Sequence, residues 1–118
     1  MGEVFEEICK QWLWREYAAK TLPFSFRDCG RWWGTNPIKK EEQEIDLLAV
    51  DDGDTGIFCE CKWRNEPVDI RVLRALMEKA EMFHFKNKCF VLFSKTGFHR
   101  DIAKSADERV LLVSFESM

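Results

Sequence analysis

The chain has no run of about eighteen apolar residues, the length a membrane-spanning helix needs, and its first residues do not pass from basic to apolar as a secretion signal does. Both gaps predict a cytoplasmic protein with no membrane association. The five cysteines, Cys9, Cys29, Cys59, Cys61 and Cys89, contain no C-x-x-C pair. An odd set without paired ligand spacing predicts reduced, partly buried thiols rather than a disulfide framework or a zinc site. Histidine is scarce, and neither His84 nor His99 has a His or Cys at ligand spacing, so neither is read as a general base. No G-x-x-x-x-G-K-[ST] stretch occurs, which excludes a P-loop nucleotide site within these residues. Positive charge is not in excess either. A net charge of −3 argues against a protein that coats nucleic acid nonspecifically, so any phosphate-backbone contact must come from a local basic patch.

What is present is enough for one core. At 118 residues, 46% of them hydrophobic with ten Phe and five Trp, residues 1–118 predict a single α/β domain. Residues 3–20 put Phe5, Ile8, Cys9, Trp12, Leu13 and Tyr17 at helical spacing, and the helix should stop by Leu22, before Pro23. A strand and loop over 24–34 end in Trp32-Trp33-Gly34, with Asn36-Pro37 as a turn. The charged Lys39–Glu42 cluster leads into a strand over 44–50, which ends in the hairpin-type turn Asp51-Asp52-Gly53-Asp54. The strand over 57–63 is apolar on both faces and reads as central. A helix over 68–83 follows, then a buried strand over 89–93, which the crossover makes parallel to its predecessor. A short helix near 98–106 and a strand at 110–113 finish the chain.

Three charges interrupt these apolar strands. A buried ionised carboxylate is costly unless it is paired or coordinates a metal, so Asp46, between Ile45 and Leu47, needs a reason to be there. Glu60 and Lys62 need one too. Alternation puts Glu60 and Lys62 on one face and Cys59, Cys61 and Trp63 on the other, and a hairpin brings Asp46 alongside. Two converging carboxylates form a hard-oxygen site suited to Mg²⁺, with Mn²⁺ as a substitute. Such an ion would polarise a phosphate and lower the pKa of a water, with Lys62 stabilising developing charge.

The order Asp46, thirteen residues, Glu60, one residue, Lys62 resembles the D-x(n)-E-x-K signature of the PD-(D/E)XK superfamily, which includes restriction endonucleases and Holliday-junction resolvases. The resemblance implies a restriction-endonuclease-like α-β-β-β-α-β core, here with an additional C-terminal helix and strand, in which a mixed sheet is flanked by helices. Gly2-Glu3-Val4-Phe5-Glu6 is similar to the G-x-x-F-E opening of several members, which implies that a first-helix acid supports the metal through water. Glu6 lies about 100° from Phe5 on a helical wheel, at the rim of the apolar face, whereas Glu7 points away. Glu6 is therefore the candidate.

Arg31-Trp32-Trp33-Gly34, Glu44–Ala49, Glu60-Cys61-Lys62-Trp63 and Ser94–Phe98 together resemble the uncharacterised nuclease-like domain at the C-terminus of archaeal-type P-loop ATPases. That likeness implies DNA as substrate, an ATPase module in cis or in trans and, by analogy with relatives that cut two strands, a homodimer. Resolvase-like members often carry a glutamine on the helix after the E-x-K strand, and residues 68–83 have none. An inactive or regulatory module of an ATPase with the same fold is the alternative reading.

Other candidates have plainer explanations beside the functional ones. Lys95 suits either a phosphate contact or a solvated loop. Arg71 and Arg74 make a local basic stretch on the second helix, with Arg64 nearby, and read first as an ordinary charged helix face. Trp32 and Trp33 face opposite sides of a strand, so at least one is expected in the core rather than stacked on a base.

Overall fold

A computed structural model describes residues 2–52 and 54–118. The expected turn residue Gly53 lies outside them. The chain runs α1 (Gly2–Ala18), β1 (Asp28–Asn36), β2 (Glu41–Asp51), β3 (Thr55–Lys62), α2 (Ile70–Ala80), β4 (Asn87–Ser94), α3 (Arg100–Ser105) and β5 (Val110–Ser114), then a 3₁₀ turn at Phe115–Ser117. This is the anticipated α/β order, a mixed sheet flanked by helices. Among the described residues the five strands lie in the order β1-β2-β3-β4-β5, with β1-β2-β3 antiparallel and β3-β4-β5 parallel. The strand that is apolar on both faces, β3, is the middle one.

The sheet has a core on each side. Phe5, Cys9, Trp12 and Leu13 of α1 pack on Leu47, Ala49, Ile57, Cys59, Val91 and Phe93. Leu73, Leu76 and Ala80 of α2 pack on Ile45, Phe58, Phe90 and Leu92. Each such Leu or Phe, fully buried, contributes about 1.5–3 kcal/mol. The α2 stripe begins where Asp69 caps the helix, its carboxylate accepting the Arg71 N–H at 3.0 Å.

Ile45 and Leu47 are two residues apart yet serve opposite cores. The cause is a bulge. Gly30 pairs with Leu48 and Trp32 with Ile45, so Arg31 faces both Asp46 and Leu47. One extra residue in β2 thus reverses the alternation at the position of the candidate acid.

Boundaries shift where side chains intervene. The first strand reaches Asn36 rather than Gly34, because Asn36 Oδ1 accepts the Ile38 and Lys39 N–H groups and itself forms the turn. Glu41 and Glu42, read as a solvated cluster, are the first residues of β2 opposite the edge strand β1. Trp32 packs against Phe83 at 4.9 Å, whereas Trp33 is 70% exposed, so the two divide between core and surface as alternation requires. All five cysteines are free thiols, Cys9 and Cys59 fully buried. No helix among the described residues is long and apolar enough to cross a membrane.

Candidate active site

The β2–β3 ladder ends at the pair Leu47–Cys59. Beyond it β2 stays with β1, while β3 runs on beside β4 through Lys62 opposite Ser94. The two strands part like a fork. Asp46 stands in the fork, and its Oδ2 accepts the Cys61 N–H at 2.9 Å, a bond a backbone carbonyl of β2 would otherwise make. Glu60 is the next residue of β3 after the last pair, so it is the neighbour of Asp46 across the gap.

Glu60 and Lys62 point to the α2 side, and Cys61 and Trp63 to the α1 side, where Trp63 packs on Phe5 at 4.9 Å. The Glu60 side chain is 11% exposed, with Lys62 Nζ 3.3 Å from one oxygen and Lys79 Nζ 3.9 Å from the other. Burial raises the Glu60 carboxyl above the usual range, the Asp46 charge raises it further, and Lys79 and Lys62 pull the other way. A carboxylate disfavoured by both burial and a like charge attracts a cation.

On the α1 side, the recess containing Asp46 also holds Glu6 and Arg31. The Arg31 guanidinium donates to both Glu6 oxygens at 3.0 Å and to Glu44 at 3.1 Å, and lies 3.9 Å from Asp46 Oδ1. Glu6 is half-buried and Glu7 exposed, as the helical wheel predicts. Of the four expected site residues, Glu60 and Lys62 line the α2-side cavity, whereas Asp46 lines the α1-side recess with Glu6, to which Arg31 links it, and adjoins Glu60 only across the end of the ladder rather than sharing its cavity as expected. Among the described residues no three His, Cys, Asp or Glu side chains are gathered to hold a metal. Mg²⁺ takes one or two protein carboxylates and its other oxygens from water and phosphate, the hard-oxygen donor type that Asp46 and Glu60 supply on the two sides of the fork.

Arg31 and Lys79 were not legible as site residues. Lys79 reads as an exposed helix charge, yet it lies seven residues after Val72 and three after Leu76, in phase with the apolar stripe. That phase carries its Nζ under the sheet to Glu60 and to the Glu44 carbonyl at 2.7 Å. Arg31 alternates with the core-facing Trp32, which places it on the α1 side with the acids. Lys95, by contrast, is occupied: its Nζ donates to Asn65 at 3.0 Å and lies 5.1 Å from the Trp63 ring. His99 caps α3, accepting the Asp101 N–H. A separate recess of about 630 Å³ at the far end of β3 and β4 is lined by Tyr17, Lys20, Thr55 and Asn87, with no carboxylate among its described lining residues. It is remote from this chemistry.

Three comparisons place the chain among known proteins. It is 34% identical over 85 residues to the uncharacterized protein MJECL04 of Methanocaldococcus jannaschii, covering 70% of this chain. The matched region spans only 18% of that relative's length. A crystal structure of a protein of unknown function, AF1548, superposes with a TM-score of 0.54 at 21% identity, covering 89% of this chain and 56% of that one. That likeness concerns the fold alone. Residues 1–83, which hold both helix α1 and the Asp46-Glu60-Lys62 fork, match the DUF234 family, described as archaea bacterial proteins of unknown function, and the chain belongs to that family.

Proposed function

We propose that this chain is a PD-(D/E)XK, restriction-endonuclease-like domain that hydrolyses DNA phosphodiesters with Mg²⁺ or Mn²⁺, as an accessory to a P-loop ATPase in the same or a partner chain. The observation that carries this reading is the fork, where Asp46 and Glu60 adjoin across the ladder's end with Lys62 on Glu60. Asp46 and Glu60 would hold the ion, with Glu6 in support once freed from Arg31; when bound, it polarises the phosphate and acidifies a water. Lys62, two-thirds buried, keeps a fixed positive charge beside the carboxylates and stabilises charge developing on the phosphate oxygens. The Cys61 N–H fixes the orientation of Asp46, leaving its other oxygen for the ion. The domain acts in the cytoplasm, and two strands to cut favour a homodimer.

A second reading, a catalytically silent DNA- or protein-binding module serving an ATPase, is favoured by Arg31. Its guanidinium already neutralises Glu6 and approaches Asp46, and α2 lacks the glutamine of resolvase-like enzymes. Supercoiled, linear and branched DNA incubated with the chain in Mg²⁺ or Mn²⁺ separates the two. Cutting that disappears in Asp46→Asn and Glu60→Gln supports the enzyme; no cutting by the unmodified chain in either metal supports the silent module.

A further inference from the structure

The cavity on the α2 side of the fork, about 420 Å³, is more cationic than its carboxylates account for. Its charged lining is Glu60, Lys62, Arg64, Asp69, Arg71 and Lys79, four cations against two acids. Lys62 and Lys79 are directed at Glu60, and Arg71 forks onto Asp69 at 2.8 and 3.2 Å. Arg64 has no ion-pair partner among the described residues. Its Nε is buried and makes no hydrogen bond. A guanidinium N–H withdrawn from water without an acceptor carries a desolvation cost, and because Arg64 lines this cavity an anion held there would offset part of the cost of confining its charge.

The position of Arg64 is built, not incidental. Thr96 Oγ1 donates to the carbonyls of Arg64 and Glu66 at 3.3 and 3.0 Å, and Lys95 N–H donates to the Lys62 carbonyl at 3.0 Å. Lys95 Nζ holds Asn65. The Thr96 loop is itself set by Gly97 at φ +101°, a conformation that favours glycine, with Ser94 Oγ donating to the Gly97 carbonyl at 2.7 Å. Three polar anchors thus fix the backbone on both sides of a guanidinium that has no ion-pair partner among the described residues.

We infer that this cavity is a phosphate-binding subsite, in which Arg64, assisted by Arg71, grips a backbone phosphate of the nucleic-acid strand next to the one presented at Glu60. The planar guanidinium fork matches two phosphate oxygens, and Lys62, 3.3 Å from Glu60, lines the same cavity. Arg74, on α2 with Arg71 but outside the cavity lining, takes no part. The identity of the ligand rests on the reading proposed above, but binding can be measured without metal and so apart from catalysis.

The test is fluorescence anisotropy of a labelled DNA duplex about 20 base pairs long, in EDTA, with the 118-residue chain. Arg64→Ala weakens binding about tenfold and lowers the slope of log affinity against log salt by about one. Arg64→Lys recovers part of the affinity, and Arg74→Ala stays within about twofold of the parent. Circular dichroism melts confirm that each variant is folded. Inorganic phosphate separates the two sources of this chemistry: weak competition that Arg64→Ala abolishes supports a backbone subsite. Tight phosphate binding with DNA affinity unchanged in Arg64→Ala overturns it, as does parental DNA affinity and salt slope in that variant. Arg64-dependent binding without cutting in Mg²⁺ leaves the subsite standing and removes the nuclease reading; cutting that ignores Arg64 does the reverse.

Discussion

Replacing Glu60 with glutamine is expected to stabilise the metal-free protein at neutral pH while abolishing its response to metal. Glu60 is 11% exposed, its nearer ammonium contact is 3.3 Å and the farther one 3.9 Å, and Asp46 faces it. Ion pairs this loose do not fully offset the desolvation of a buried carboxylate, so its pKa is raised, first by burial and then by Asp46. The sign follows by linkage. With a folded value above the unfolded one, the protonated carboxyl's advantage is full below the ordinary glutamate range and is lost as pH rises through the raised value. Glutamine cannot ionise and loses nothing. The variant should therefore melt with the parent near pH 4 and exceed it by about 1 kcal/mol at about pH 8, some 4 °C for a chain of this size. Thermal melts in EDTA across that range measure the gap. Saturating Mn²⁺ at about ten times its dissociation constant should then stabilise the parent by about 1.4 kcal/mol and leave the variant unmoved. A gap that does not widen with pH, or a variant melting below the parent at pH 8, would refute the reasoning.

Further outcomes follow from the same coordinates. Arg31→Gln frees Glu6 and Asp46 from their guanidinium, and Mn²⁺ titration calorimetry should show about threefold tighter binding, a small gain because Arg31 is partly exposed. Lys79→Met removes a charged donor from the Glu44 carbonyl and a counterion from Glu60, so urea unfolding at pH 8 should report a loss of about 1.5 kcal/mol. Leu76→Ala empties the centre of the α2 core and should cost about 2–5 kcal/mol by the same assay. Gly56→Ala would set a methyl in steric clash with the edge of the Phe85 ring, and a loss of about 1–3 kcal/mol is expected.

The chain's periodicities make much of this architecture legible before any coordinates. The unbroken apolar character of 57–63 identifies the middle strand because a strand covered on both faces has no polar side to alternate with. The helical phase of Phe5, Cys9, Trp12 and Leu13 marks the face of α1 that is buried, and it also separates Glu6 from Glu7. Asp46, Glu60 and Lys62 stand out because charge inside an apolar strand is costly. Arg31 and Lys79 do not, because an arginine beside tryptophans and a lysine on a helix are each common on surfaces. Their reach toward Glu6 and Glu60 depends on side-chain length and tertiary placement, which pattern alone does not encode. The β2 bulge is hidden for a related reason: Ile45, Leu47 and Ala49 alternate perfectly on paper.

That extra residue in β2 works like a shift of reading frame. Upstream of it the strand's odd-numbered side chains belong to one layer of the molecule, and downstream to the other. Deleting Asp46 or Leu47 would restore plain alternation and leave Ile45 in its own layer but abolish the bulge at the fork, whereas a one-residue insertion or deletion elsewhere in β2 would turn part of the strand toward the wrong layer. Chimeras between family members should therefore be spliced in the loops on either side of β2, never within it.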